Sequence, residues 1–162
     1  MRGGVAAAAL ALALIAAPLA GAASRPPGAV GTMAVTASPH TPGARAVRLT
    51  VVLRYQMQCG YPGAGPLVVT FPSALKPPKR LATGAVRLAG KPVAAAIEGR
   101  QVTVTVAPHK GMLCDLVGPG SLTLVFTRKA RLANPKRAGS YRFTAIHAMR
   151  MFNAKLTIKS GS

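Results

Sequence analysis

The side chains that could do acid and base chemistry are few in this sequence. Glu98 and Asp115 are its two acidic residues. Hydrolases that act on sugars use a pair of carboxylates about 5 to 10 Å apart. Glu98 stands in a predicted hairpin turn, where a solvated acid is expected. Asp115 stands in a predicted loop, where capping or pairing with an arginine is expected, so the sequence argues against a hydrolase of this class.

The three histidines offer no recognisable metal or catalytic pattern. His40 and His109 fall in predicted surface turns, and His147 falls in a predicted strand. Metal sites need converging ligands at characteristic spacings, and these histidines have no paired spacing. The G-x-S-x-G motif of a serine nucleophile is also missing. We therefore predict a protein with no catalytic residues, no metal and no cofactor.

Cys59 and Cys114 are the two cysteines of the chain. Two cysteines allow one intramolecular pairing, and disulfides persist outside the cytosol. This bond would close a loop of about 55 residues, which stabilises a fold by roughly 4 kcal/mol on the chain-entropy model. A thiol nucleophile or a metal-binding pair is the alternative, but the C-x-x-C spacing is missing. The prediction is a disulfide, provided that the chain is exported.

The first 23 residues are typical of a removable export signal. A short basic start is followed by an uncharged apolar run from Val5 to Ala17, and Pro18 then interrupts it. Small residues allow cleavage after Ala22 or Ala23. An uncleaved membrane anchor is the alternative, but a span needs about twenty firmly apolar residues. We predict a signal peptide at residues 1–23, no membrane span after cleavage, and a secreted or cell-envelope location.

Apolar and polar residues alternate with a period of two through most of the remaining chain. Residues 47–55 show it most clearly, with an apolar face and a second face that carries Arg48 and Arg54. Glycine- and proline-rich turns separate these runs. Strands are predicted near 32–36, 47–55, 67–71, 86–88, 93–97, 102–106, 122–126, 141–144 and 152–159, with one helical turn within 129–135.

This pattern predicts an all-β fold. About 140 residues remain after the signal, which is enough for one domain. Antiparallel strands with one apolar face each must bury that face, so an antiparallel β-sandwich of about eight or nine strands is favoured over a closed barrel. We expect a flexible lead-in at residues 24–31 and a sandwich domain at 32–160.

Five segments between residues 67 and 141 resemble immunoglobulin-like β-sandwich modules of bacterial surface and secreted proteins. They are LVVTFP at 67–72, VRLAGKPV at 86–93, GRQVTVTV at 99–106, GSLTLVF at 120–126 and NPKRAGSY at 134–141. The resemblance spans about residues 67–145 and implies an extracellular binding or structural role. It also implies that the last segment turns a corner between the sheets, with Tyr141 hydrogen-bonded back to the chain. The structural corner residues are then Asn134, Pro135, Gly139 and Tyr141.

Positive charge dominates the composition. The chain has 21 lysines and arginines, two acidic residues and a formal net charge of +19. Such a charge attracts polyanions, although basic strand faces also serve solubility and protect sheet edges. The absence of tryptophan and the few other aromatic residues argue against specific nucleic-acid binding. The candidate polyanion-binding residues are Lys76, Lys79, Arg80, Arg128, Lys129, Arg131, Lys136 and Arg137.

Two functions remain open from the sequence. The first is a non-catalytic structural or interaction module of the cell envelope that binds anionic cell-wall or extracellular polymers by charge. The second is a secreted sandwich with a small-ligand or enzymatic site built from loops 59–66 and 110–120. A one-sided basic surface would favour the first. A pocket where His109, Asp115 or Tyr61 converge would favour the second.

Overall fold

A computed structural model describes residues 31–109 and 117–160. The regular structure of this part is β-strand, apart from one short 3-10 turn at Arg128–Ala130. Its strands are β1 (Thr32–Ser38), β2 (Arg45–Gln58), β3 (Gly65–Thr70), β4 (Val86–Leu88), β5 (Lys91–Pro92), β6 (Ala95–Glu98), β7 (Gln101–Val106), β8 (Val117–Phe126), β9 (Leu132–Ala133), β10 (Gly139–His147) and β11 (Arg150–Ile158).

The strands form two sheets in which every pairing is antiparallel. The first sheet has the order β1-β2-β8-β4-β5, and β9 pairs with the start of β2. The second sheet has the order β11-β10-β3-β7-β6. The apolar faces of both sheets contribute to one buried cluster. The predicted all-β sandwich is therefore confirmed, and the closed barrel is wrong.

Strand β2 shows how the sequence pattern produces this packing. It is 14 residues long, and buried and more exposed positions alternate along it. Side chains of successive strand residues point to opposite faces, so every second residue enters the core. Arg48 and Arg54 lie on the solvent face, as the sequence predicts. The buried residues of β2 are Val47, Leu49, Val51, Leu53, Tyr55 and Met57.

Three phenylalanines join the two sheets within the core. Phe71 follows β3 in the second sheet, and its ring lies 5.3 Å from that of Phe126 in the first sheet. It also lies 5.2 Å from the ring of Phe143 on β10, and both ring pairs have edge-on geometry. Such pairs add about 0.5 to 1.5 kcal/mol beyond their burial. All three rings are almost completely buried.

The predicted strands match the longer observed ones, with differences at their ends. Strands β2, β8 and β10 begin earlier than predicted, because glycine, proline and polar residues at their ends still pair with neighbours. The two-residue strands β5 and β9 are too short for an alternation to show. The turn predicted within 129–135 occurs as the 3-10 turn at Arg128–Ala130.

The two ends of the sandwich along the strand direction carry different side chains. With a rise of about 3.3 Å per residue, the 14-residue strand β2 spans about 45 Å. We call the end where β2 begins and β8 finishes the basic end. We call the end where β2 finishes and β8 begins the far end. The turn between β10 and β11 and the connection between β2 and β3 lie at the far end.

Candidate functional site

The predicted polyanion-binding residues lie in connections at the basic end. The connection from β3 to β4 carries the first group, and it enters β4 at the basic end because Val86 pairs with Phe126 at the end of β8. The 3-10 turn and the connection from β9 to β10 carry the second group. The two groups are about fifty residues apart in sequence, yet the fold places them at one end. All eight side chains are exposed: Lys76, Lys79, Arg80, Arg128, Lys129, Arg131, Lys136 and Arg137.

Two further arginines lie at the same end and were missed by the sequence analysis. Arg45 begins β2, and Arg100 lies in the turn between β6 and β7; both are exposed. The Arg100 guanidinium donates a hydrogen bond of 3.4 Å to the carbonyl of Phe71, which holds that turn against the end of β3. Knowledge of the strand pairing would have been needed to place these residues beside the predicted ones.

Asn134 connects the loops of the basic end. Its side chain is almost fully buried. The Nδ2 amide donates hydrogen bonds of 2.8 Å to the carbonyl of Pro39 and 2.9 Å to that of Thr41. The adjacent Pro135 carbonyl accepts a bond of 2.8 Å from the backbone N–H of Gly43. Bonds between backbone and a buried side chain restrict the loops, so the basic residues next to them project from a fixed frame.

Tyr141 and Gly139 shape the chain after the basic loop. The hydroxyl of Tyr141 donates a hydrogen bond of 2.7 Å to the carbonyl of Arg137. Gly139 has a φ of 154°, which L side chains rarely adopt. The loop that carries Lys136 and Arg137 is therefore closed onto the first residues of β10. This is the type of bond expected of a corner tyrosine.

The basic end has little negative charge to offset its cations. Glu98 is the sole acidic residue in the described ranges, and it is exposed beside the turn at residues 99–100. Asp115 lies outside the described residues. Like charges that lie close together destabilise a fold unless counterions or an anionic partner approach them. The electrostatics of this end therefore favour binding of an anionic chain.

The far end contains a cleft of about 380 Å³. Its walls come from the end of β2, the following loop 59–64, the end of β7 and the turn between β10 and β11. Tyr61 and His109 stack at one side, with ring centroids 3.4 Å apart and planes inclined by 12°. The sequence analysis named Tyr61 and His109 as possible pocket residues. Their side chains do lie together in this cleft.

Three polar side chains lie at the base of this region. The Tyr55 hydroxyl and Nδ1 of His147 are 2.7 Å apart and share a hydrogen bond. The guanidinium carbon of Arg150 lies 5.5 Å from the centroid of the Tyr55 ring, a distance at which a cation is attracted to the ring face. Tyr55 and Arg150 line the cleft. Neither had been singled out by the sequence analysis, because both look like ordinary strand residues.

Burial controls the protonation of the Tyr55 and His147 pair. It lowers the pKa of His147, and the backbone of Gly63 partly opposes that shift. It raises the pKa of Tyr55, and the charge of Arg150 partly opposes that. Both groups are therefore neutral near pH 7. With both groups neutral, Tyr55 and His147 share one hydrogen bond between the hydroxyl and Nδ1.

We expect the buried His147 to make the protein less stable in weak acid. Below about pH 6.5 the unfolded chain takes up a proton on this histidine that the folded chain resists, so stability falls as the pH decreases. The loss for one such group is at most about 1.4 kcal/mol per pH unit. Urea unfolding at about pH 5 and pH 7.5 measures it.

The matched variants for this measurement are His147→Gln and His109→Gln. The first removes the buried histidine and should weaken the dependence of unfolding free energy on pH. The second removes an exposed histidine and measures the effect of a His→Gln change outside the core. Identical pH dependence in both variants would contradict the role assigned to His147.

Several predicted features lie wholly or partly outside the described residues. The signal peptide at 1–23, the lead-in up to residue 30, Asp115 and Cys114 are among them. Cys59 is half-buried at the turn after β2, and the described part of the chain contains no free cysteine. Because Cys114 is not described, the bond from Cys59 to Cys114 stays a prediction.

The described residues show neither a metal site nor a membrane-spanning helix. They contain no group of three or more histidine, cysteine, aspartate or glutamate side chains that could hold a metal ion. Within the same ranges, no helix has the length and apolar character needed to cross a membrane.

The structure thus defines an all-β protein of two packed antiparallel sheets. No protein-family model and no curated protein matches the sequence. Among solved structures, the chain is similar to the crystal structure of BslA, described as a bacterial hydrophobin. The TM-score is 0.48 at 19% sequence identity, covering 82% of this chain and 100% of that one.

Proposed function

We propose that this protein is a secreted, non-catalytic, immunoglobulin-like module that the basic end attaches to anionic polymers of the cell envelope. The observation that carries the proposal is the convergence of both predicted basic clusters at one end of the sandwich. Charges that served only solubility would be scattered over the surface. Here the basic residues of the β3–β4 and β9–β10 connections share one end. The ligand class is a phosphate- or carboxylate-rich chain outside the cell.

The physical basis is local electrostatic attraction. The Debye length is about 10 Å at 0.1 M salt, and the basic end is several such lengths from the far end. A bound polymer therefore responds mainly to the cations near it. The bonds of Asn134 and Pro135 tie the β9–β10 connection to the β1–β2 connection, so less backbone entropy is lost there when an anionic chain binds.

Retention on isolated cell envelopes tests this function. We expect the protein to remain bound at about 0.1 M NaCl and to be released at about 1 M, where screening reduces the Debye length to about 3 Å. A wash with a neutral osmolyte such as sucrose should release none. Retention through the salt wash, or release by sucrose, would contradict attachment by charge.

A further inference from the structure

The cleft at the far end has a positive group with no anion to pair with in the described part of the chain. Nη1 of Arg150 is buried and makes no hydrogen bond. A buried donor without an acceptor costs about 1 to 3 kcal/mol, and more when the group is charged. The described residues that line the cleft include no carboxylate. Glu98 is at the basic end, at the start of the β6–β7 turn, and does not line the cleft.

The Arg150 guanidinium packs on a neighbouring aromatic ring. It lies over the Tyr55 ring, and the hydroxyl of that ring is held by the buried His147. A guanidinium held in place binds an oxyanion with little further ordering, because its planar array of donors matches a carboxylate. The shifts in pKa of the neighbours leave them neutral near pH 7, so they do not compensate the arginine charge.

The remainder of the cleft is suited to an apolar body. Pro62, Pro108 and Ala148 line it together with the stacked rings of Tyr61 and His109. Small-ligand sites combine apolar walls with a few polar groups that fix orientation. A volume of about 380 Å³ accommodates a small organic molecule.

From this arrangement we infer that the far-end cleft binds a small organic carboxylate, with its carboxylate on the Arg150 guanidinium and its apolar body against Tyr61 and the prolines. This goes beyond attachment by charge, because it concerns a defined site at the opposite end of the molecule. A failed test of the cleft would leave the basic-end proposal unaffected.

Phenylacetate is a suitable probe, and phenylacetamide is its neutral counterpart of the same shape. In calorimetric or NMR titrations, we expect phenylacetate to bind saturably with a Kd below about 10 mM. Phenylacetamide should bind at least about tenfold more weakly. Acetate should also bind at least about tenfold more weakly, since it lacks the apolar body. Equal affinity for phenylacetate and phenylacetamide, or no saturable phenylacetate binding, would overturn the inference.

Two charge-removing variants locate the site. Arg150→Gln should weaken phenylacetate binding at least about tenfold. Arg54→Gln, which removes an exposed arginine near the same end, should change it less than about twofold. Equal losses in both would show that net charge, not the cleft, attracts the probe and would refute the site.

Arg150→Lys distinguishes a lost ligand contact from a folding defect. It keeps the positive charge but loses the planar donors, so it should bind phenylacetate more tightly than Arg150→Gln and less tightly than the unchanged protein. Circular dichroism establishes whether each variant is folded. If Arg150→Gln does not fold, the comparison of Arg150→Lys with Arg54→Gln and the amide comparison in the unchanged protein decide the matter.

Discussion

Neutralising four cations at the basic end is expected to lower the affinity for an anionic polymer by at least about 100-fold at 0.1 M salt. Each phosphate contact releases condensed counterions when it forms, and basic residues near an anionic surface contribute about 1 kcal/mol each. Binding to a poly(glycerol phosphate) chain, measured by fluorescence anisotropy, gives the affinity. The basic-end variant combines K76Q, K79Q, R128Q and K129Q.

A second variant with the same change in net charge controls for charge alone. Its substitutions lie on the solvent faces of β2, β10 and β11, where all four side chains are exposed. We expect its affinity to fall less than about tenfold, because these four cations lie on strand faces and not in the loops that form the basic end. Equal losses in the two variants would contradict a localised binding site. The sheet-face variant combines R48Q, R54Q, R142Q and K155Q.

Replacing Phe71 by alanine is expected to reduce the free energy of unfolding by about 3 to 5 kcal/mol. Phe71 is 1% exposed and contacts a phenylalanine of each sheet. Its removal leaves a cavity between the sheets and eliminates both edge-on ring contacts. For a domain with a total stability of about 5 to 15 kcal/mol, this loss is large. Urea unfolding with a linear extrapolation measures it.

Phe71→Leu separates the ring contacts from the loss of volume. Leucine fills most of the space but cannot make edge-on ring contacts, so we expect a smaller loss, near 1 to 2 kcal/mol, roughly the contribution of the two pairs. A loss below about 1 kcal/mol for Phe71→Ala would show that the two sheets do not meet around this ring.

The architecture could be predicted because one physical rule governs it over most of the chain. In β2, every second residue from Val47 to Met57 is apolar and buried. The alternation alone therefore indicates the strand and its inward face. Strand β9 shows where the rule stops. It has two residues, and its pairing with Arg45 and Val47 depends on the tertiary fold. A pattern of period two cannot appear in two residues.

The candidate sites could be predicted less completely because they depend on strand order. The basic clusters were visible as local charge density, but their meeting at one end depends on how β3, β4 and β8 connect. The cleft was anticipated through Tyr61 and His109 in their loops. Arg150 and Tyr55 are about a hundred residues apart in sequence, and no local signal relates them.

The dependence of affinity on salt tests the central claim most directly. For the unchanged protein on poly(glycerol phosphate), the logarithm of the association constant should fall linearly with the logarithm of NaCl concentration. The slope is negative, and its magnitude should decrease by about 3 in the basic-end variant, since each lost contact contributes about 0.7 to 0.9. It should change by less than about 1 in the sheet-face variant. Equal slopes for the unchanged protein and the basic-end variant would contradict binding through the basic end.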